Sequence, residues 1–304
     1  MLVSMNISII IPHRNSVDTI NRLLNSIPVK ETLEVIVVDN STIPLKEDDI
    51  HWKGNLKISY SSPERFAGGA RNVGLGMASG KWLVFADADD FFERDAFEIF
   101  GSYVESEFDL IYFGCNSVFD DTLQPSDRHL MYQGLVDGYL EGRTSEIKAR
   151  LYQVVPWAKM IRRSLVAENN IRFDEVIAAN DMYFATQVGY YAKSFHADRR
   201  PVYVVTTRRG SLANRWNYDI LYSRYVVGLR RNQFLKQHGL SKYQVSVMIY
   251  LHKAFEMSPK IFFSFIMLGI KYKQNLFVGC RNWFKTKKQV KVKEANTKEY
   301  IVKE

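Results

Sequence analysis

The chain has 304 residues, 46% of them hydrophobic, and carries 41 Lys and Arg against 33 Asp and Glu, a formal charge of +8. That length buries a substantial core in one large domain or in a domain with an extension, and the ordinary composition excludes a disordered or fibrous chain. Its two cysteines, Cys115 and Cys280, stand too far apart for a disulfide framework or metal-ligand spacing, which suits a reducing cytoplasm, with both as packing residues.

The opening residues through Pro12 are apolar without a basic leader, and Pro12-His13-Arg14-Asn15 stops the run too early for a signal peptide. They read as a buried first strand, with three isoleucines in a row at Ile9–Ile11. Ser16 then caps a helix in which Ile20, Leu23, Leu24 and Ile27 recur at helical spacing. Glu34–Asp39 is a second buried strand ending in a carboxylate. Leu56–Tyr60 is a weaker third, Ala70–Ser79 a short helix closed by Gly80, and Trp82–Ala86 a fourth strand. Residues 109–114 and 117–119 predict further strands, the stretch to about residue 170 gives no clear pattern, and Asn180–Ala192 reads as a helix. From Tyr218 onward the pattern is helical and aromatic-rich, with Pro259 as its one proline. No repeat or low-complexity tract occurs, and the last twenty residues are polar enough to fray.

Strands alternating with helices predict an α/β fold: a mostly parallel central sheet, Rossmann-like, with helices on both faces, followed by a helical C-terminal extension. In open sheets of this kind ligands bind outside the carboxyl ends of the strands. Pro12–Asn15, Asp39–Ser41 and Asp87–Asp90 all follow such ends, so three polar clusters are expected to share one crevice. The third carries most meaning. Phe85-Ala86-Asp87-Ala88-Asp89-Asp90 places three carboxylates within four residues at a buried strand end. Carboxylates packed there favour a divalent cation and a diphosphate. An Asp-rich turn in which Asp90 caps the next helix is the competing reading, and the cluster alone leaves both open.

Taken in order, Ile7–Asn15, Val37-Val38-Asp39-Asn40-Ser41, Gly69–Gly74, Phe85–Asp90, Pro156-Trp157-Ala158-Lys159, Asn169–Asp174 and Asn180–Phe184 resemble the signature of family 2 glycosyltransferases. The resemblance covers about residues 5–215 and implies an inverting enzyme of the A-type glycosyltransferase fold. It implies a catalytic nucleotide-sugar-binding domain over residues 1–215 and a separate basic, helical region over 216–304. Pro12 and the residues after it match the loop lying along the nucleotide. Arg14 stands where the family often has a tyrosine, and a guanidinium stacks on a base comparably. Asp39 matches the carboxylate that accepts a hydrogen bond from a uracil or thymine imide, with Asn40 where a second Asp is frequent.

Arg71 and Asn72 match the pair preceding the acidic motif, where Arg71 offsets phosphate charge or pairs with an acid on the motif loop. Asp87 matches the residue near the ribose or metal, and Asp89 the ligand of the metal bridging both phosphates, Mn2+ or Mg2+. Asp181 matches the general base that takes the acceptor proton, in an Asn180-Asp181 pair where the family usually has Glu-Asp. Its plain alternative is a favourable carboxylate in the first turn of a helix. Arg208-Arg209-Gly210-Ser211 resembles the segment that closes over the donor phosphates, though two arginines at a turn are equally ordinary.

Charge is segregated. Residues 218–304 hold 17 Lys and Arg against 5 Asp and Glu, a surplus of +12, while residues 1–217 hold 24 against 28, a balance of −4. The apolar run Ile261–Ile270 is ten residues, short of the ~20 that span a bilayer. It predicts a helix lying on an anionic membrane surface, anchored by Trp283 and Phe284, with Lys285, Lys287, Lys288, Lys291 and Lys293 facing headgroups. Packing on the catalytic domain, or a homo-oligomer contact, is the alternative use of that helix. No nucleic-acid motif accompanies the charge.

The expected function is transfer of a sugar from a nucleotide diphosphate sugar, a UDP-sugar first, to a hydroxyl of a glycan or lipid-linked oligosaccharide in bacterial capsule or lipopolysaccharide assembly. The expected location is cytoplasmic or peripheral on the inner membrane face. A sugar-1-phosphate nucleotidyltransferase would carry a Gly-rich phosphate loop after its first strand, and Pro12–Asn15 has no glycine. Intact Asp87, Asp89 and Asp181 weigh against a catalytically silent homologue.

Overall fold

The computed structural model describes residues 6–208, 216–273, 275, 276 and 278. The expectations for Arg209, Cys280, Trp283, Phe284 and the lysines after them lie outside the described residues. The chain divides into two compact units, one ending at residue 215 and one beginning at Trp216.

The first unit is built on one eight-stranded sheet. β1 (Ile7–His13) lies between β2 (Leu33–Asp39) and β4 (Trp82–Phe85), parallel to both, and β3 (Leu56–Tyr60) adds a parallel strand beyond β2. Every residue of β1 and β2 is buried, as expected of parallel strands covered on both faces. Successive side chains take opposite faces. Ile7, Ile9 and Ile11 pack with Ile20, Leu23 and Leu24 of α1 (Val17–Asn25), whereas Ile10 joins Val38, Phe85, Phe173 and Phe184 on the other face.

Beyond β4 the sheet departs from the parallel expectation. β5 (Phe91–Phe92), α3 (Ala96–Gly101) and β6 (Leu110–Phe119) are followed by α4 (Leu130–Leu140), α5 (Glu146–Tyr152), β7 (Lys159–Arg162), α6 (Arg163–Glu168), α7 (Met182–Tyr191) and β8 (Phe195–Thr207). The sheet order is β3-β2-β1-β4-β7-β6-β8-β5, with β7 antiparallel to both β4 and β6. The two short strands predicted between 109 and 119 are one strand, irregular around Gly114 where it pairs with β8.

The helix predicted from Ala70 begins earlier, as α2 (Phe66–Met77). Two of its glycines, Gly68 and Gly74, sit where the helix is pressed against its neighbours. A Cβ on Gly68 would meet the Asp174 carbonyl oxygen at 1.9 Å, and one on Gly74 would meet Ile10 at 2.5 Å. Ser16 precedes α1 but caps it only through its carbonyl, which accepts from Ile20; its hydroxyl bonds Thr19 instead.

At the strand ends opposite the expected crevice, Glu34 is enclosed among five donors: Ser8 Oγ (2.5 Å), Lys57 Nζ (2.6 Å), Ser79 N (2.6 Å), Ser79 Oγ (2.8 Å) and Gly80 N (3.1 Å). Burial raises its pKa, but these bonds outweigh burial and hold it at about 2.

Among the described residues the second unit holds the helices α8 (Tyr218–Gln237), α9 (Met248–Met257) and α10 (Pro259–Lys271). Asn217 caps α8 by accepting from Ile220 N, and Ser258 caps α10, which starts on Pro259. Leu221, Tyr225, Leu229, Val247, Leu251, Ala254 and Phe265 form its core. No described helix is long and apolar enough to cross a membrane.

Candidate functional site

At the ends of β1 and β2 the two loops are tied together through Asp39. His13 Nε2 accepts the Ser16 N–H at 3.2 Å, which leaves Nδ1 to donate to Asp39 Oδ1 at 2.8 Å. Ser41 N and Oγ also donate to Oδ1, at 3.1 and 2.5 Å, and Leu45 N donates to Oδ2 at 2.8 Å. Burial raises the Asp39 pKa, and the Ser41, Leu45 and His13 bonds reverse that to hold it below the ordinary carboxylate value. The carboxylate expected to meet a base is thus 2% exposed and engaged on both oxygens. Beside it, Asn40 is equally buried with its Nδ2 unpartnered among the described residues. Pro12 is buried and Arg14 exposed at the rim. The sequence pointed to no role for His13, whose partner lies 26 residues away.

At the end of β4 the geometry converges. Asp87 donates its backbone N–H to Tyr203 Oη at 2.8 Å and accepts Arg71 Nη2 on Oδ1 at 2.5 Å. Arg71 Nη1 donates to Asn180 Oδ1 at 2.8 Å, and the guanidinium lies 5.3 Å from the Phe173 ring centre. One buried arginine on α2 therefore links the acidic loop to the residue preceding Asp181. Asn72 fastens the segment before α7, exchanging two hydrogen bonds with the Phe173 backbone at 3.0 and 2.9 Å. Of the two readings for Arg71, the pair with a motif-loop acid is present.

Asp89 is half-buried, and its backbone carbonyl accepts from Arg22 (2.5 Å) and Thr206 Oγ1 (2.8 Å). Burial, then the Asp87 charge, raise the pKa of its carboxyl, with Arg128 and Arg208 opposing. Asp90 is not a helix cap. The next helix begins at Ala96 after Asp95, and Asp90 Oδ1 instead accepts from Thr206 N at 2.7 Å, sealing β4's end to β8. Burial, then Asp89 and Asp87, raise its pKa well above the usual value.

Asp181 stands at the start of α7, its carbonyl accepting from Ala185 N. Burial raises its pKa; Arg71 opposes, and the Asp87 charge adds to the rise. Nearby, Lys159 is buried, donates to the Gln153 carbonyl at 2.5 Å and rests 4.6 Å over the Tyr112 ring. Burial pulls its pKa to about 7 against the Asp181 charge. Tyr132, pushed up to about 12 by burial and then by Asp181, lies edge-on to Trp157, which stacks on Tyr203.

Arg208 pairs with Asp120 Oδ2 (Nε 3.0 Å, Nη2 2.9 Å), while Arg22 takes Asp120 Oδ1 at 3.0 Å. Asp120 and Arg22 carried no sequence signal, since their partners lie 98 residues apart in the chain.

Among the described residues no group of three or more His, Cys, Asp or Glu side chains is placed to hold a metal ion. The chemistry of Asp87 and Asp89 still fits a divalent cation that takes its remaining ligands from a diphosphate. Both are hard oxygen donors. The Asp89 carboxylate is crowded by like charge and bonded by no other side chain among the described residues.

A sheet of this order with its polar side chains gathered at the strand ends is that of an A-type glycosyltransferase. The family model described as Glycosyl transferase family 2 matches residues 8–169, more than half the chain, and the chain belongs to that family. Among curated relatives, the putative glycosyltransferase EpsH of Bacillus subtilis is 22% identical over 236 residues, 74% of this chain and 67% of that protein. The poly(ribitol-phosphate) beta-N-acetylglucosaminyltransferase TarS of Staphylococcus aureus is 24% identical over 217 residues, 67% of this chain but 36% of TarS. The solved structure of S. aureus TarS 1–349 with UDP-GlcNAc superposes with a TM-score of 0.57 at 22% identity, covering 84% of this chain and 74% of that one. That likeness is one of fold.

Proposed function

We propose that the protein is a metal-dependent inverting glycosyltransferase. It moves one sugar from a nucleotide diphosphate sugar, a UDP-sugar first, to a hydroxyl of a glycan or lipid-linked oligosaccharide in bacterial surface polysaccharide synthesis. The observation that carries this reading is the continuous chain Asp87–Arg71–Asn180, which ties the acidic loop to the residue preceding Asp181. The UDP-GlcNAc complex of TarS, which shares this fold, supports the choice of donor.

In this reading the nucleotide lies against Pro12, Arg14 and the Asp39–Ser41 turn. Asp39 frames the base site by holding both loops, and the unpartnered Asn40 amide is the free donor at that turn. Asp87 and Asp89 would hold Mg2+ or Mn2+, which would offset the charge on the donor diphosphate when bound. Arg71, and Arg208 with its neighbour Arg209, favour the departing diphosphate by charge. Asp181 accepts the proton of the acceptor hydroxyl as that oxygen attacks the anomeric carbon from the face opposite the leaving group. The enzyme works on the cytoplasmic side, with the basic C-terminal region meeting the membrane surface where a lipid-linked acceptor is presented.

The test is nucleotide release over a panel of nucleotide sugars with manganese, magnesium or chelator. The expected result is release from a UDP-sugar that chelator abolishes. Release indifferent to chelator overturns the metal role of Asp89, and no release from any donor overturns the transferase reading in favour of a silent homologue.

A further inference from the structure

α10 is apolar on two opposite lines, and among the described residues the packing of its unit uses only one. Phe265 and Gly269 are buried; Phe265 stacks on Tyr225 at 4.7 Å, and its carbonyl accepts from Tyr225 Oη at 2.8 Å. On the outer line Phe263, Met267 and Ile270 recur at i, i+4 and i+7, a single stripe along a helix. They are 65%, 63% and 57% exposed. α9 extends the stripe. Phe255, 58% exposed, lies 5.5 Å from the Phe262 ring, which in turn lies 5.6 Å from Phe263. The four exposed side chains thus form one connected apolar surface, larger than the scattered exposed apolar residues of an ordinary soluble face.

Cations bracket it. Lys260 stands one turn before Phe263 on the same line, and Lys271 and Lys273 follow Ile270, all exposed. Across residues 218–273 nine Lys and Arg face two acids, Asp219 and Glu256. A second copy of this chain would bring the same positive surplus to the contact, whereas an anionic surface is complementary to both apolar stripe and rim. α10 is 13 residues, about 20 Å long, too short to cross a hydrocarbon core of about 30 Å.

We infer that the outer face of α9 and α10, through Phe255, Phe263, Met267 and Ile270, seats flat in the headgroup boundary of an anionic lipid bilayer, with Lys260, Lys271 and Lys273 on the headgroups. This deepens the membrane part of the proposed function and rests on it. Such helices bury their apolar side ~5–10 Å into the boundary while charge supplies attraction to anionic lipid.

The test is co-sedimentation of the full chain with vesicles of phosphatidylcholine and phosphatidylglycerol, with phosphatidylcholine alone as control. Wild-type protein should bind the mixed vesicles more tightly, and added salt should weaken that binding. A variant combining Phe263→Ser, Met267→Ser and Ile270→Ser should bind about tenfold more weakly, with unchanged circular dichroism. Lys260→Glu with Lys271→Glu should lose the preference for anionic lipid. Wild-type protein that stays in solution overturns the inference, as does a triple-serine variant that binds as well as wild type. A concentration-dependent dimer by light scattering, lost in the triple variant and without vesicle binding, overturns it in favour of a second copy. Nucleotide release measured in parallel without vesicles separates the two readings. Turnover without sedimentation removes the membrane face alone, and sedimentation without turnover supports the face while removing the transferase reading.

Discussion

Arg71 bonds Asp87 directly and reaches Asp181 only through its charge. Asp87 takes the direct 2.5 Å bond, while Asp181 is left with burial outweighing the help it receives from Arg71. A carboxylate whose pKa is raised binds its proton more readily, which suits a base, provided the pH stays high enough to ionise it. Transfer should therefore fall as pH drops through a value above the ordinary 3.8 of an aspartate. Asp181→Asn should retain donor binding by calorimetry and lose transfer by about 10²- to 10⁴-fold. Undiminished transfer would place the base elsewhere. Asp181 can be proposed from the sequence because a short motif carries it. Asp39 can be proposed in the same way, but not as the hydrogen-bond hub it is, since its donors come from two loops that only the β1–β2 register brings together.

At the scale of the element, α2 decides how closely those residues meet. Its face carries Gly68 against the Asp174 carbonyl and near Asn180 Cβ. Gly68→Ala should push the 174–180 loop off the helix, destabilise by ~1–3 kcal/mol from overpacking, and lower transfer through displaced Asp181. Gly76→Ala in the same helix meets nothing within 4 Å and should stabilise by ~0.5–1 kcal/mol. Urea unfolding of the pair checks this, and equal effects would remove the close-packing argument. Gly68 and Gly69 hide the start of α2 in the sequence, because glycine is a poor helix former and only its close packing explains it there.

Glu34 works at the opposite strand ends, joining β1, β2, β3 and the turn before β4. Its folded pKa lies below its ordinary 4.5, so its stabilisation is complete above pH 4.5 and is lost as pH falls toward about 2. With one half-exposed partner in Lys57, Glu34→Gln should cost about 2–3 kcal/mol at pH 7. Urea midpoints of the two proteins should merge at the acid end; a constant gap would mean packing, not charge, holds those strand ends.

The parallel half of the first unit was readable because its strands are continuous apolar runs separated by short helices. The stretch from 120 to 170 was not. α4 buries few of its residues, and β7 enters the sheet antiparallel by pairing with strands distant in sequence. That insertion carries Lys159 close enough to Asp181 for the two charges to interact.

In the first unit, the satisfied Glu34 cluster and the crowded carboxylates stand at the two ends of one sheet. Glu34 at one end has a donor for every need, whereas at the other Asp87, Asp89 and Asp90 crowd within four residues and two of them carry raised pKa values from burial and mutual charge. Sites held ready for a charged ligand are commonly destabilising until it arrives. UDP with Mg2+ at 100 times its dissociation constant should add ~2.7 kcal/mol of stability, read as a rise in unfolding temperature that chelator reverses. Asp89→Asn removes one of the crowded charges without touching the Arg71–Asp87 pair. It should raise the unfolding temperature of the ligand-free protein and erase most of the gain from UDP with Mg2+. A ligand-free variant less stable than wild type would mean that the Asp89 carboxylate holds the loop together and that its crowding carries no functional meaning.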